Sequence, residues 1–242
     1  MLCRYLLSAD NQNKMKKTRE LVSAQYPQLL TYGCSAHYMN LAEKEAGTNA
    51  IVKHIIEVQK HFRNVHQARG WLEEKGGLVP QLPNDTRWNS HLACIKMFVS
   101  NYPKYVQIFS EQDCSSQITK VLDNVGILRE ANNLLKRLTF IGTSLDKLQS
   151  DSTFLADAVE IWQDVVECED LEHYKDEFLR CSQQALEPFH YLANLMHPKY
   201  MGRRLDASQV SSKVLLLQHA VLPPQCDICL LSPDFVMQKY CF

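Results

Sequence analysis

Leu29-Leu30-Thr31-Tyr32-Gly33-Cys34-Ser35-Ala36-His37-Tyr38-Met39-Asn40-Leu41 contains the point at which the chain changes character. Its first four residues suit a short buried strand, and Gly33 punctuates it. After His37 the apolar residues recur every three or four positions, the period of a helix. Upstream of the switch the pattern reads strand, helix, strand. The apolar start of the chain, Met1 to Leu7, reads as a buried strand that gives way at Asp10; it is too short for a signal peptide and lacks the small-residue cleavage pattern. Lys14 to about Gln25 reads as helix, with Met15, Leu21 and Val22 inward and Lys14, Lys16, Lys17 and Arg19 outward, and Pro27 closes it. Such an order belongs to an α/β layer.

Downstream the expectation is helix almost throughout. Ile51, Ile55, Val58, Phe62 and Val65 make one stripe on a long helix that reaches Trp71-Leu72, ended by Gly76-Gly77. Pro80 and Pro83 hold the next loop extended. A helix from near Trp88 carries His91, Cys94, Met97 and Phe98 and is expected to kink or break at Tyr102-Pro103. Ile118, Leu122, Val125, Leu128, Leu135 and Leu138 predict a further long helix, interrupted near Gly142. Phe154, Ala158, Trp162, Val165 and Val166 predict another. A last helix spans about Glu172 to Met196, kinked at Pro188 and stopped by His197-Pro198. The fold class that follows is mostly α: a small α/β segment over 1–35, a helical domain over 36–205 and an irregular tail over 206–242.

Composition narrows the function classes. With 45% hydrophobic and 22% charged residues the mix is that of a globular protein, so long disorder is not expected. No apolar run approaches the roughly 20 residues of a membrane helix, and a soluble chain without a membrane partner is expected. Nine cysteines without a framework suit reduced thiols in a cytosolic or nuclear setting. Charge is unevenly placed: residues 1–110 hold 14 Lys and Arg against 8 Asp and Glu, whereas 111–242 hold 12 against 19. A surface for nucleic acid belongs in the first half, where phosphates can be neutralised. No run of five basic residues is present.

Four segments carry possible chemistry. Asp10 stands where a strand yields to a helix, a position that projects a side chain from the carboxyl edge of a sheet; an Asp there also serves as a helix N-cap. Cys34-x-x-His37 has the spacing of half a metal site, but a structural zinc needs four ligands and no second pair is near in sequence, so a buried thiol and a hydrogen-bonded imidazole are preferred. Cys226-x-x-Cys229 is likewise half a site. Thr86-Arg87-Trp88-Asn89-Ser90 joins a phosphate-binding cation to an aromatic able to stack on a base; the alternative is a capped helix with Trp88 packed inward.

In order and spacing, the Asp10-Asn11 segment, the Gly33 to Leu41 segment and the Thr86 to Ser90 segment resemble the central part of hAT-superfamily transposases and proteins derived from them. Pro188 to Tyr200 resembles the segment that closes the family's helical insertion domain. The resemblance covers roughly residues 5–205. It implies that residues 1–35 are a ribonuclease H-like remnant and 36–205 the insertion domain. It makes Asp10 one acid of a metal-binding carboxylate trio and gives Arg87, Trp88 and His37 a role in handling DNA. Cys34, His37 and Asn40 become structural markers of the strand-to-helix junction. Departures are local: Ala9 stands where the family has Thr or Ser, and Lys14 where it has a second Asn. The family's upstream strand with the first acid, its final Glu, its dimerisation region and its zinc finger are not found. The expectation is therefore a truncated or domesticated, catalytically inactive transposase-like protein with residual DNA or protein binding, nuclear or cytoplasmic with the nucleus favoured by the resemblance, requiring no cofactor. Two alternatives stand beside it. One is an active Mg2+- or Mn2+-dependent transposase or nuclease completed by a second chain; the other is a helical interaction scaffold. Other transposase-derived proteins are implied as possible partners, and the oligomeric state stays open.

Overall fold

The computed structural model of this protein describes residues 5–9, 13–27, 29–47, 50–84, 89–112 and 116–210. The elements are β1 (Tyr5–Ala9), α1 (Asn13–Gln25), β2 (Leu29–Gly33), α2 (Ser35–Gly47), α3 (Ala50–Asn64), α4 (His66–Glu74), α5 (Ser90–Glu111), α6 (Ser116–Leu122), α7 (Ile127–Gln149), α8 (Leu155–Val166), a 3-10 segment (Glu169–Tyr174), α9 (Lys175–Ala185) and α10 (Pro188–Met196). The protein is mostly helical, with one small sheet among the described residues. None of those helices is long and apolar enough to cross a membrane. The chain divides into two compact units, residues 1–42 with 144–242, and residues 43–143.

In the first unit β1 and β2 pair in parallel, Tyr5 opposite Leu29 and Ala9 opposite Gly33. Parallel neighbours need a crossover, and α1 supplies it. The helix behaves differently from its apolar pattern: it buries no residue, and Leu21 is 63% exposed. Met15 and Val22 are half-buried with Arg19 between them, whereas Leu21 lies 100° round from Val22 on the solvent side. Arg19 turns inward and donates from Nη1 to the Ala9 carbonyl at 3.2 Å.

The unit's apolar mass comes from α8, which buries Leu155, Ala156, Ala158, Val159, Ile161, Trp162 and Val165 and packs on α9 and α10. Each large apolar side chain so buried contributes roughly 1.5–3 kcal/mol. Pro188 does not kink a long helix. It opens α10 at the first helical turn after an extended Glu187 (φ −86°, ψ 160°), because a proline forces its predecessor out of the helical region. His197 ends that helix in extended conformation, and residues 197–210 continue as turns. Of the tail expected over 206–242, residues 211–242 lie outside the described residues.

In the second unit α3 buries Ile51, Val52, Ile55, Val58, Gln59 and Phe62 and packs on α4, α5 and α6. The expected single helix from Ile51 to Leu72 is two, because Val65 adopts extended backbone (φ −85°, ψ 113°) and is 43% exposed. Gly76 takes the left-handed conformation (φ 67°) that ends α4. α5 runs through Pro103 without ending. An interior proline costs about 3 kcal/mol, and Tyr105 and Ile108 beyond it, both fully buried, offset that at about 2–3 kcal/mol each. Phe62 stacks on Tyr105 with ring centroids 4.4 Å apart.

The long helix expected from Ile118 is also two. Asn124 Oδ1 accepts the Gly126 N–H at 3.0 Å in a local turn, and Val125 is 93% exposed. The break resets the helical phase, so α7 buries Ile127, Ala131, Leu134 and Leu138 instead of Leu128 and Leu135. Gly142 interrupts nothing. A Cβ there would sit 2.8 Å from Leu92 Cδ2 and 3.1 Å from Asn89 Oδ1, so its small size admits the start of α5.

Candidate functional site

Two places in the structure carry the segments singled out in the sequence, one in each unit. In the first unit the parallel register sets the carboxyl ends of β1 and β2 side by side, and the Cys34 N–H donates to the Ala9 carbonyl at 2.8 Å. The carboxyl edge of a parallel sheet is where α/β proteins gather their chemistry. Asp10 follows directly on β1 but lies outside the described residues, as do Arg87, Trp88 and the Cys226/Cys229 pair.

Cys34 and His37 are brought together at the start of α2. The Cys34 carbonyl accepts the N–H of His37 at 3.1 Å and that of Tyr38 at 3.4 Å, so Cys34 is the residue from which the helix springs. Both side chains are half-buried, and Cys34 is not in a disulfide. The next residue, Ser35, is buried and accepts the indole N–H of Trp162 at 2.7 Å. Tyr32, on the strand side, meets Phe189 and His190 edge-on at 5.2 and 5.3 Å. The junction is thus locked to α8 and α10. Asn40, one turn beyond His37, is 5% exposed, and its Oδ1 accepts no hydrogen bond among the described residues. Burial pushes the Tyr38 hydroxyl above its ordinary range, with the Arg19 charge acting against it. Among the described residues no three His, Cys, Asp or Glu side chains form a group able to hold a metal ion.

No protein-family model matches the chain, and none of the curated proteins matches it.

In the second unit the stretch before Thr86-Arg87-Trp88 is tied down by buried amides. Asn101, fully buried on α5, donates from Nδ2 to the Leu78 carbonyl at 2.8 Å and accepts the Leu78 N–H at 2.9 Å through Oδ1. Gln59 on α3, also fully buried, donates to the Gln81 carbonyl at 3.1 Å and the Cys94 carbonyl at 2.7 Å. Arg63 holds the Pro80 carbonyl at 3.2 Å. On the far side, Ser90 Oγ donates to the Asn84 carbonyl at 2.8 Å. Both flanks of residues 85–88 are fastened. Asn89 takes the left-handed conformation (φ 57°) at the head of α5. Glu43, 1% exposed, is buried close to this helix start. Burial raises its carboxyl to about 7, against the lowering effect of the Asn89 and Leu92 main-chain N–H groups and of the Lys44 charge. Burial likewise raises the Cys94 thiol to about 11, so it is an inert core group.

These polar core residues are absent from the sequence-based site, although a signal existed. Gln59 falls between Ile55 and Phe62 on the apolar stripe of α3, and Asn101 between Phe98 and Tyr105 on that of α5. A polar residue in an apolar stripe must find partners, and here the partners are main-chain atoms of a loop.

One further feature gave no sequence signal. Arg204 donates to Glu160 Oε2 at 3.1 Å, Asp164 Oδ1 at 2.7 Å and Glu167 Oε2 at 2.8 Å, three carboxylates along α8 and its C-terminal end. Tyr200 donates to Asp157 on the same helix. Turns 197–210 are thereby strapped to α8, beside an open cleft of about 610 Å3 bordered by Trp162, Leu179, Tyr191 and Arg204.

Proposed function

We propose that this chain is a hAT-transposase-derived nucleic-acid-binding protein, with residues 1–35 a ribonuclease H-like remnant. The supporting observation is the parallel β1–β2 pair. Its register sets Ala9 beside Gly33, so the Asp10 segment and the Cys34/His37 segment issue from the same sheet edge, in the order the family resemblance implies. A helical body follows, and the Arg87-Trp88 segment lies between fastened flanks.

Binding is the assigned activity, not strand cleavage. Two-metal phosphoryl transfer needs several carboxylates converging on ions about 3.5–4 Å apart. The family resemblance carries over one such acid onto this sequence, Asp10. The test is a mobility-shift titration with a DNA hairpin, paired with a cleavage assay in Mg2+ and in Mn2+. Salt-sensitive binding without cleavage is expected. Cleavage that disappears in Asp10→Ala would establish the completed-enzyme alternative instead. Absence of any DNA binding would leave the helical scaffold as the reading.

A further inference from the structure

We infer that the exposed lysines opening α1 form a phosphate-binding patch for the backbone of a polynucleotide; this rests on the nucleic-acid reading above. Lys14, Lys16 and Lys17 are all exposed and fall within the first five residues of a 13-residue helix. No acidic residue stands in its first turn. Cations at that end oppose the helix dipole, which favours carboxylates there. The arrangement is thus unfavourable to the helix by itself, and a bound anion would relieve it.

Compensation within the protein is missing among the described residues, where none of the three lysines is paired with a carboxylate. The nearest on the same face, Glu20, follows Lys16 by four positions, the weaker orientation for such a pair. Arg19, the next cation, is different: it is turned inward onto the Ala9 carbonyl. That bond fastens α1 to the carboxyl end of β1, so the lysines border the edge from which Cys34 and His37 also issue.

A polynucleotide suits the patch better than a lipid surface. Lys14 and Lys17 are one turn apart, with Cβ atoms about 5–6 Å from each other, so flexible ammonium arms can reach neighbouring phosphates. An interfacial helix needs an apolar face to sink, and Met15 and Val22 face inward, half-buried, so that among the described residues of α1 Leu21 is the exposed large apolar side chain, with Tyr26 exposed just beyond the helix.

The test compares the full chain with the triple variant Lys14→Gln/Lys16→Gln/Lys17→Gln, by fluorescence anisotropy on a labelled DNA hairpin over a series of NaCl concentrations. Removing one lysine–phosphate pair lowers the slope of log K against log salt by about 1, so a fall of about 2 from the neighbouring Lys14 and Lys17 is expected, with weaker binding at every salt. A control, Lys120→Gln/Lys147→Gln/Lys175→Gln, removes the same charge elsewhere and is expected to keep the slope. Circular dichroism of the triple variant should match the parent and its melting temperature should not fall, because the three side chains are exposed and their charges oppose the helix dipole. An unchanged slope in the α1 variant, or an equal fall in the control, overturns the patch while leaving nucleic-acid binding intact. No binding by the parent chain overturns both. Preferential capture by phosphatidylserine vesicles over the hairpin, abolished in the α1 variant, overturns the assignment to a polynucleotide.

Discussion

Replacing Glu43 by Gln should reverse in effect between acid and alkaline pH. The carboxyl is 1% exposed, and burial lifts it from 4.5 to about 7, although the N–H groups of Asn89 and Leu92 and the Lys44 charge act to lower it. The folded value is raised, so this group's stabilisation is fully present below about 4.5 and is lost as pH rises through about 7. At about 1.4 kcal/mol per pH unit, the gap between the two values corresponds to about 3 kcal/mol lost by pH 8. Gln is neutral throughout and keeps one carbonyl acceptor, giving up an acceptor worth about 1 kcal/mol. The variant should therefore be about 1 kcal/mol less stable than the parent at pH 4, about equal to it near pH 5, where the parent has already lost about 1 kcal/mol, and about 2 kcal/mol more stable at pH 8. Urea unfolding at pH 4, 5, 6, 7 and 8 and fixed ionic strength measures this. The difference between the two proteins isolates residue 43, since other titrating groups are common to both. A difference that stays the same across the range would show that the carboxyl does not titrate there, and the reasoning would fail.

Asn101→Leu removes both bonds to Leu78 and leaves a main-chain N–H and C=O without their partner, a cost of about 2–4 kcal/mol. Amide hydrogen exchange at Leu78 should accelerate more than exchange along α8, and equal acceleration in both would count against a local anchor. Arg204→Met should cost only about 1 kcal/mol, because the guanidinium and its three carboxylates are partly exposed and screened. The cost should shrink in 1 M NaCl (a Debye length of about 3 Å), and a salt-independent loss would point to packing instead.

Elements are more legible in the sequence than their joints. β1, α1, β2 and α8 lie where period and punctuation put them. The differences cluster where a single local rule decides the reading. Pro103 reads as a break, but the burial of Tyr105 and Ile108 outweighs one missing hydrogen bond. Gly142 reads as an interruption, but its size serves Leu92 and Asn89, residues about fifty positions away. Val65 and Val125 continue apolar stripes on paper and are exposed at turns, since a stripe cannot reveal that the backbone has left the helix. The site is legible where a motif is local, as at Cys34 and His37, which share one helix start. Glu43, Gln59 and Asn101 act on partners distant in sequence, and for Gln59 and Asn101 only their oddity within apolar stripes hints at it. Arg204 meets three acids of α8 and its end from about forty residues away, and nothing around it signals that.

The fastening of residues 78–84 has an evolutionary consequence. Asn101, Gln59, Arg63 and Ser90 grip carbonyl oxygens and one N–H of Leu78, Pro80, Gln81 and Asn84, atoms that almost any residue would present in the same place. The grip is blind to the side chains of the loop. Those side chains can drift, and the path of the loop would be inherited through four residues that lie outside it.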